Sequence, residues 1–193
     1  MKAGDGKTNV TEVFDAETQN TIELQKNGWQ AILDNFKNYV ENPAITEKLH
    51  FETNINAPVE KVYSTMIDRK TYSEWTKEFN GSSHFEGSWE KGSKIRFIGE
   101  EDGKVGGMVS RIKENIPNKF ISIEHLGVLD GDKEIMDGEE VKKWSGALEN
   151  YTFVRNGKST KLVVDMDSNE DMKSYFEDKW PKALKKLKSI CEN

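Results

Sequence analysis

The 193-residue sequence holds one cysteine, four prolines, three histidines and no surplus of positive charge. With Cys191 alone, no internal disulfide can form, so a reducing, cytoplasmic setting is expected. No run of about 18 apolar residues occurs, which excludes a membrane-spanning helix and the membrane as an expected partner. Met1 to Gly6 lead into no apolar stretch, so no secretory signal is expected. Lys and Arg number 28 against 34 Asp and Glu, a net charge of −6. That balance gives no basic surface for a phosphate backbone, and nucleic acid is not an expected partner. The densest basic cluster, Lys182, Lys185, Lys186 and Lys188, alternates with apolar residues and reads as the solvated face of a helix. His50, His84 and His125 form no i,i+4 pair, and with one cysteine they supply no metal-ligand set, so neither metal nor cofactor is expected. Cys191 falls in a last helical turn, where it reads as a small core-facing hydrophobe. Gly103 to Gly107 is too short for a phosphate loop and reads as a hairpin.

What the chain does have is a repeat of its own ends. Residues 1–42, moved by 151 positions, fall on residues 152–193 without a gap. Gly6-Lys7 meets Gly157-Lys158, Val13 meets Val164, Trp29 meets Trp180 and Leu33 meets Leu184. Lys37 meets Lys188, and Glu41-Asn42 meets Glu192-Asn193. A match that keeps turn, tryptophan and end points together marks a duplicated element. Each copy reads as one strand and one long helix. In the C-terminal copy Asn156-Gly157 is a turn, Thr160 to Met166 a strand, and Ser168 or Asn169 a cap for an apolar stripe running from Met172 to Cys191. Pro181 inside that helix predicts a kink or break around 177–181. In the N-terminal copy Asn9 to Phe14 is the expected strand. Ile22, Trp29, Ile32, Leu33, Phe36 and Val40 form the stripe, stopped at Asn42-Pro43. The expected organisation is therefore an arm, 1–45, repeating the closing element of a domain at 46–193. A stripe of that kind seeks a surface, on the domain or on a second copy, and a homodimer through the arm is one outcome.

Between the copies, Glu47 to Asn56 alternates as a first strand, and Pro58 opens a short helix carrying Val59, Val62, Tyr63 and Met66. Tyr72, Trp75 and Phe79 suggest a further turn or two. Period-two segments follow at 83–86, 94–99, 106–114, 119–127, 148–155 and 160–166, broken by turn residues. The acidic, glycine-bearing stretch 128–143 reads as a long mobile loop. This order is α+β, with a curved antiparallel sheet of about six or seven strands that only the last helix is long enough to cover. One helix cannot fill the concave side of such a sheet, so an internal space is expected.

Ala57-Pro58-Val59-Glu60-Lys61-Val62-Tyr63, the following Trp75, Phe85 to Ser93, and Trp180 to Leu187 together resemble the START-like (SRPBCC) helix-grip superfamily. Within it they are most similar to the branch named for the activator of the heat-shock protein 90 ATPase. The resemblance covers residues 46–193 and implies a helix-grip fold. The superfamily includes lipid and hormone binders, polyketide cyclases and chaperone activators, so function has to be read from the site.

On the strand 119–127, His125 shares a face with Ile121 and Ile123, and on 148–155 Glu149 shares one with Tyr151 and Phe153. If those faces line the space, the site is apolar with a few convergent polar groups, as small-molecule pockets are. The expected lining is Trp75, Phe97, Ile123, His125, Glu149, Tyr151, Phe153, Phe176, Trp180 and Leu184. A histidine beside a carboxylate can act as a base or as an orienting hydrogen bond, and no catalytic residue is assigned. Three readings follow: a binder of a small hydrophobic or amphipathic ligand, a protein-interaction module of the chaperone-activator type, and a weak cyclase- or lyase-like enzyme. A closed apolar cavity above about 300 Å³ favours the first, and a filled core with an exposed apolar patch favours the second.

Overall fold

The computed structural model describes residues 2–4, 7–41 and 45–193. The chain divides into two compact units between Pro43 and Ala44.

The first unit is a short hairpin, β1 (Lys2–Gly4) and β2 (Lys7–Asn9), followed by the helix α1 (Ile22–Glu41). Thr21 caps α1, its Oγ1 accepting from the Leu24 N–H at 3.2 Å. The Gln25 side chain ties down the approach by donating to the carbonyls of Glu17 and Asn20, both at 2.9 Å. The strand expected from Asn9 to Phe14 is not formed, because β2 ends at Asn9 opposite Lys2. Beyond that point Phe14 packs on Trp29, ring centroids 5.2 Å apart. The expected stop at Asn42-Pro43 lies outside the described residues. On α1 the apolar residues Ile22, Leu24, Trp29, Ile32, Phe36 and Val40 are all exposed.

The second unit opens with β3 (Glu47–Ile55), on which Leu49 and Ile55 are buried and Phe51 packs against the core. Pro58 precedes α2 (Val59–Ile67), which turns Val59, Val62 and Met66 inward at helical spacing. Asp68 then caps α3 (Arg69–Trp75), accepting from the N–H groups of Lys70 and Thr71 at 3.1 Å. A 3₁₀ turn at Thr76–Glu78 leads to β4 (His84–Gly87), β5 (Lys94–Glu101), β6 (Lys104–Ile116) and β7 (Phe120–Asp130). Next come β8 (Lys133–Ile135), α4 (Glu139–Lys142), β9 (Leu148–Asn156), β10 (Ser159–Ser168) and α5 (Glu170–Glu192). The strands pair antiparallel in the order β3-β10-β9-β7-β6-β5-β4, with β8 added to β7.

Two expectations are corrected here. The stretch 128–143 is not a loop: β7 runs to Asp130, Gly131 turns with φ +60°, and β8 returns with Val128 opposite Ile135. Its few apolar residues are spent on pairing with an existing edge, which period-two patterning does not reveal. Of the kink or break expected around 177–181, the break does not occur: α5 is continuous from Glu170 to Glu192. Pro181 withholds its donor from the carbonyl four residues back, at Glu177. Both residues lie on the exposed face, where water satisfies that carbonyl.

Asn169 caps α5, its side chain accepting from the Met172 N–H at 3.0 Å. The helix buries Trp180, Ala183, Leu184, Leu187 and Cys191. Moved back by 151 positions, those five fall on Trp29, Ile32, Leu33, Phe36 and Val40, every one apolar. The core beneath α5 joins Ile55, Val62, Met66, Ile95, Ile112, Leu162 and Leu187, none with any exposed surface. It draws on α2, β3, β5, β6, β10 and α5, and leaves the N-terminal half of α5 facing parts of β5 to β7 across open space.

Candidate functional site

That open space is a cavity of about 810 Å³. Tyr72, Trp75 and Phe79 from α3 and its 3₁₀ extension form one wall, and Met172, Tyr175, Phe176 and Trp180 of α5 form the roof. Phe97, Met108, Ile123, His125, Glu149 and Tyr151 project from β5, β6, β7 and β9 to make the floor. Glu101, Asp102 and Lys104, at the exposed tip of the β5–β6 hairpin, mark its mouth. Gly107 lets β6 run close to β5 at that rim. Its φ is +146°, and a Cβ there would lie 2.0 Å from the Phe97 carbonyl oxygen.

The aromatic groups brace one another. Trp180 lies 5.0 Å from Phe79, 6.0 Å from Tyr151 and 6.2 Å from Trp75 between ring centroids. Tyr72 stacks on Phe97 at 6.0 Å, and the Tyr175 hydroxyl donates to the Phe79 carbonyl at 3.0 Å, pinning the roof to the wall.

A small polar cluster interrupts this apolar surface. The ladder between β6 and β7 shifts between Val109 and Ser110, so that Ser110 faces His125 while Val109 faces Gly127. The bulge re-aims His125, whose backbone N–H donates to the Ala147 carbonyl at 2.9 Å. Its Nδ1 is 2.9 Å from the hydroxyl of wholly buried Ser110. With Nδ1 engaged by Ser110, its cross-strand partner, Nε2 lies 3.6 Å from the Glu149 carboxylate. The Tyr151 hydroxyl donates to the other oxygen of Glu149. Burial raises the Tyr151 phenol well above its ordinary range, and the neighbouring Glu149 charge raises it further. Tyr72 is pushed up by the same two causes, burial first and then Glu149, with a small offset from Ser83.

Of the residues expected at the site, Trp75, Phe97, Ile123, His125, Glu149, Tyr151, Phe176 and Trp180 come together around this space. Phe153 and Leu184 do not, and both are corrected to the closed core. Phe153 lies one pleat beyond Tyr151, under α2, with its ring 5.5 Å from Tyr63. Leu184 lies a turn beyond Trp180 on α5, among the buried residues of the core. Ser110, Tyr72, Trp89 and Trp144 were not among the expected site residues. Tyr72 and Trp89 carried a signal, as aromatics flanking Trp75 and within the 85–93 motif. Ser110 and Trp144 carried none, since bulge and chain return alone bring them to the site. Cys191 is buried with its thiol pushed up by burial, which removes it from nucleophilic chemistry at neutral pH.

An antiparallel sheet gripping one long C-terminal helix over an aromatic cavity defines a START-like helix-grip protein. The family described as Activator of Hsp90 ATPase homolog 1-like protein matches residues 56–192, and the chain belongs to it. Among solved structures, the chain is similar to the Aha1 dimer from Colwellia psychrerythraea at 22% identity and a TM-score of 0.58. That match covers 76% of this chain and 97% of the other. Protein CV1439 from Chromobacterium violaceum matches at 15% identity and a TM-score of 0.56, covering 77% and 99%. CalU16 from Micromonospora echinospora matches at 15% and 0.50, covering 74% and 73%. No curated protein matches the chain. At these identities the structural likeness speaks for the fold.

Proposed function

We propose that the unit 44–193 binds a small hydrophobic or amphipathic molecule in the cavity under α5. The observation that carries this is the cavity itself: about 810 Å³, walled by aromatic rings, with a single polar cluster on its floor. Small-ligand sites have this size and this mixture of surfaces. A well-packed domain otherwise leaves few voids larger than a water molecule, because unfilled walls forfeit dispersion contacts.

The family's description also raises a chaperone-activator role. That reading needs a contiguous exposed apolar surface. Among the described residues of this unit the large exposed apolar side chains are Val105, Ile116, Met136 and Val154, spread over both ends of β6, the segment after β8, and β9. This distribution favours the cavity over a surface. His125 and Glu149 act in this reading as orienting groups, and no bond-making step is assigned to them.

Titration of the full chain with the neutral dye Nile red tests the proposal. Saturable one-to-one uptake is expected, abolished by Met108→Trp, which fills the floor of the cavity. Uptake that is unsaturable, or unchanged by Met108→Trp, contradicts it.

A further inference from the structure

We infer that the ligand of this cavity is a hydrophobic cation: a protonated amine or quaternary ammonium group carried on an apolar or aromatic body. The inference rests on the cavity-binding reading and names the chemistry the cavity selects. Glu149 sits on the floor with two polar neighbours, the Tyr151 hydroxyl that donates to one oxygen and the His125 ring at 3.6 Å from the other. Among the described residues no lysine or arginine pairs with it, although the other strands carry many ion pairs. The side chain is only 17% exposed. A carboxylate so enclosed, without a fixed cation, gains from any positive charge that reaches it.

The walls select in the same direction. Tyr72, Trp75, Phe79, Phe97, Tyr151 and Trp180 line the same cavity as Glu149, and aromatic ring faces attract cations through their quadrupoles. Burial raises the phenols of Tyr72 and Tyr151, and the Glu149 charge adds to it, so both walls keep neutral hydroxyls beside the carboxylate. At the mouth, Glu101 and Asp102 outnumber Lys104, so an approaching anion meets two acidic groups and one basic group. An anionic headgroup would face Glu149 directly, whereas a cationic one completes an ion pair and an aromatic cage together.

Three probes of one size and different charge decide the matter by titration calorimetry on the full chain: 1-naphthylmethylamine, 1-naphthalenemethanol and 1-naphthoic acid. At neutral pH the amine should bind at least about tenfold tighter than the alcohol, equivalent to roughly 1.4 kcal/mol, and the acid should bind weakest. Glu149→Gln keeps an acceptor for Tyr151 while removing the charge. It should bring the amine down to the alcohol's affinity and leave the alcohol within about twofold. An acid that binds as tightly as the amine, or a preference for the amine that survives Glu149→Gln, overturns the inference and leaves cavity binding standing. If none of the three binds, the cavity reading and this inference fall together. Should Glu149→Gln lose its near-ultraviolet dichroism, the order of the three probes on the unaltered chain decides alone.

Discussion

Replacing Ser110 with alanine removes one buried hydroxyl beside His125, and its effect can be worked out from the structure. Ser110 has no exposed surface, and its hydroxyl meets the His125 Nδ1 at 2.9 Å. The substitution deletes that hydrogen bond and strands a ring nitrogen on a side chain only 10% exposed. A buried polar atom left without a partner costs about 1–3 kcal/mol, more than the roughly 1 kcal/mol a paired hydrogen bond contributes net. For a unit of this size each kcal/mol lowers Tm by about 2–4 °C, so a fall of roughly 2–12 °C is expected. Urea unfolding should show a lower midpoint with an unchanged slope, because the surface exposed on unfolding is the same. The ¹⁵N signals of the His125 imidazole should move as well, since the partner that fixes its tautomer is gone. A midpoint within about 0.3 kcal/mol of the original, with imidazole signals in place, would falsify the claim that Ser110 holds His125.

Gly107→Ala should cost more than about 2 kcal/mol or abolish soluble expression, because its Cβ would lie 2.0 Å from the Phe97 carbonyl oxygen; full retention of Tm would contradict the close approach. Leu187→Ala, at a site with no exposed surface, should cost about 2–5 kcal/mol, whereas Met108→Ala on the cavity floor should cost under about 1 kcal/mol. Equal losses in urea unfolding would mean that the cavity is packed like the core. The His50 Nδ1–H donates a hydrogen bond to the Asp165 carboxylate, which raises its pKa above the ordinary 6.5, with Glu52 adding a smaller push. The contact therefore stabilises the fold below pH 6.5 and is lost as pH rises through the elevated folded value, a small effect on so exposed a pair. Proton resonance titration should place the His50 midpoint above 6.5, and Asp165→Asn should bring it back. For the arm, we expect the α1 stripe to be covered by the stripe of a second copy, since each large apolar side chain buried is worth about 1.5–3 kcal/mol and a lone helix of this length is marginal. Light scattering should give a dimer for the full chain and a monomer for one beginning at Ala44; equal masses would assign the association elsewhere.

The fold was legible because its elements keep clean periods. Leu162, Val164 and Met166 alternate along β10, and Trp180, Leu184, Leu187 and Cys191 mark α5 at steps of three and four. The same periodicity pointed Ile123, His125, Glu149 and Tyr151 to one surface. It could not tell where along that surface the core ends and the cavity begins, so Phe153 and Leu184 were grouped with it. Features made by tertiary pairing left no periodic trace. Ser110 meets His125 through a bulge, and β8 exists only against β7. Pro181 reads as a breaker, yet its exposed position lets water take the place of the missing donor.

Native mass spectrometry of the full chain, as purified and after incubation with 1-naphthylmethylamine, tests the cavity claim most directly. One small molecule per chain, released under collision and excluded by Met108→Trp, is the predicted result. The bare polypeptide mass in both samples would contradict it.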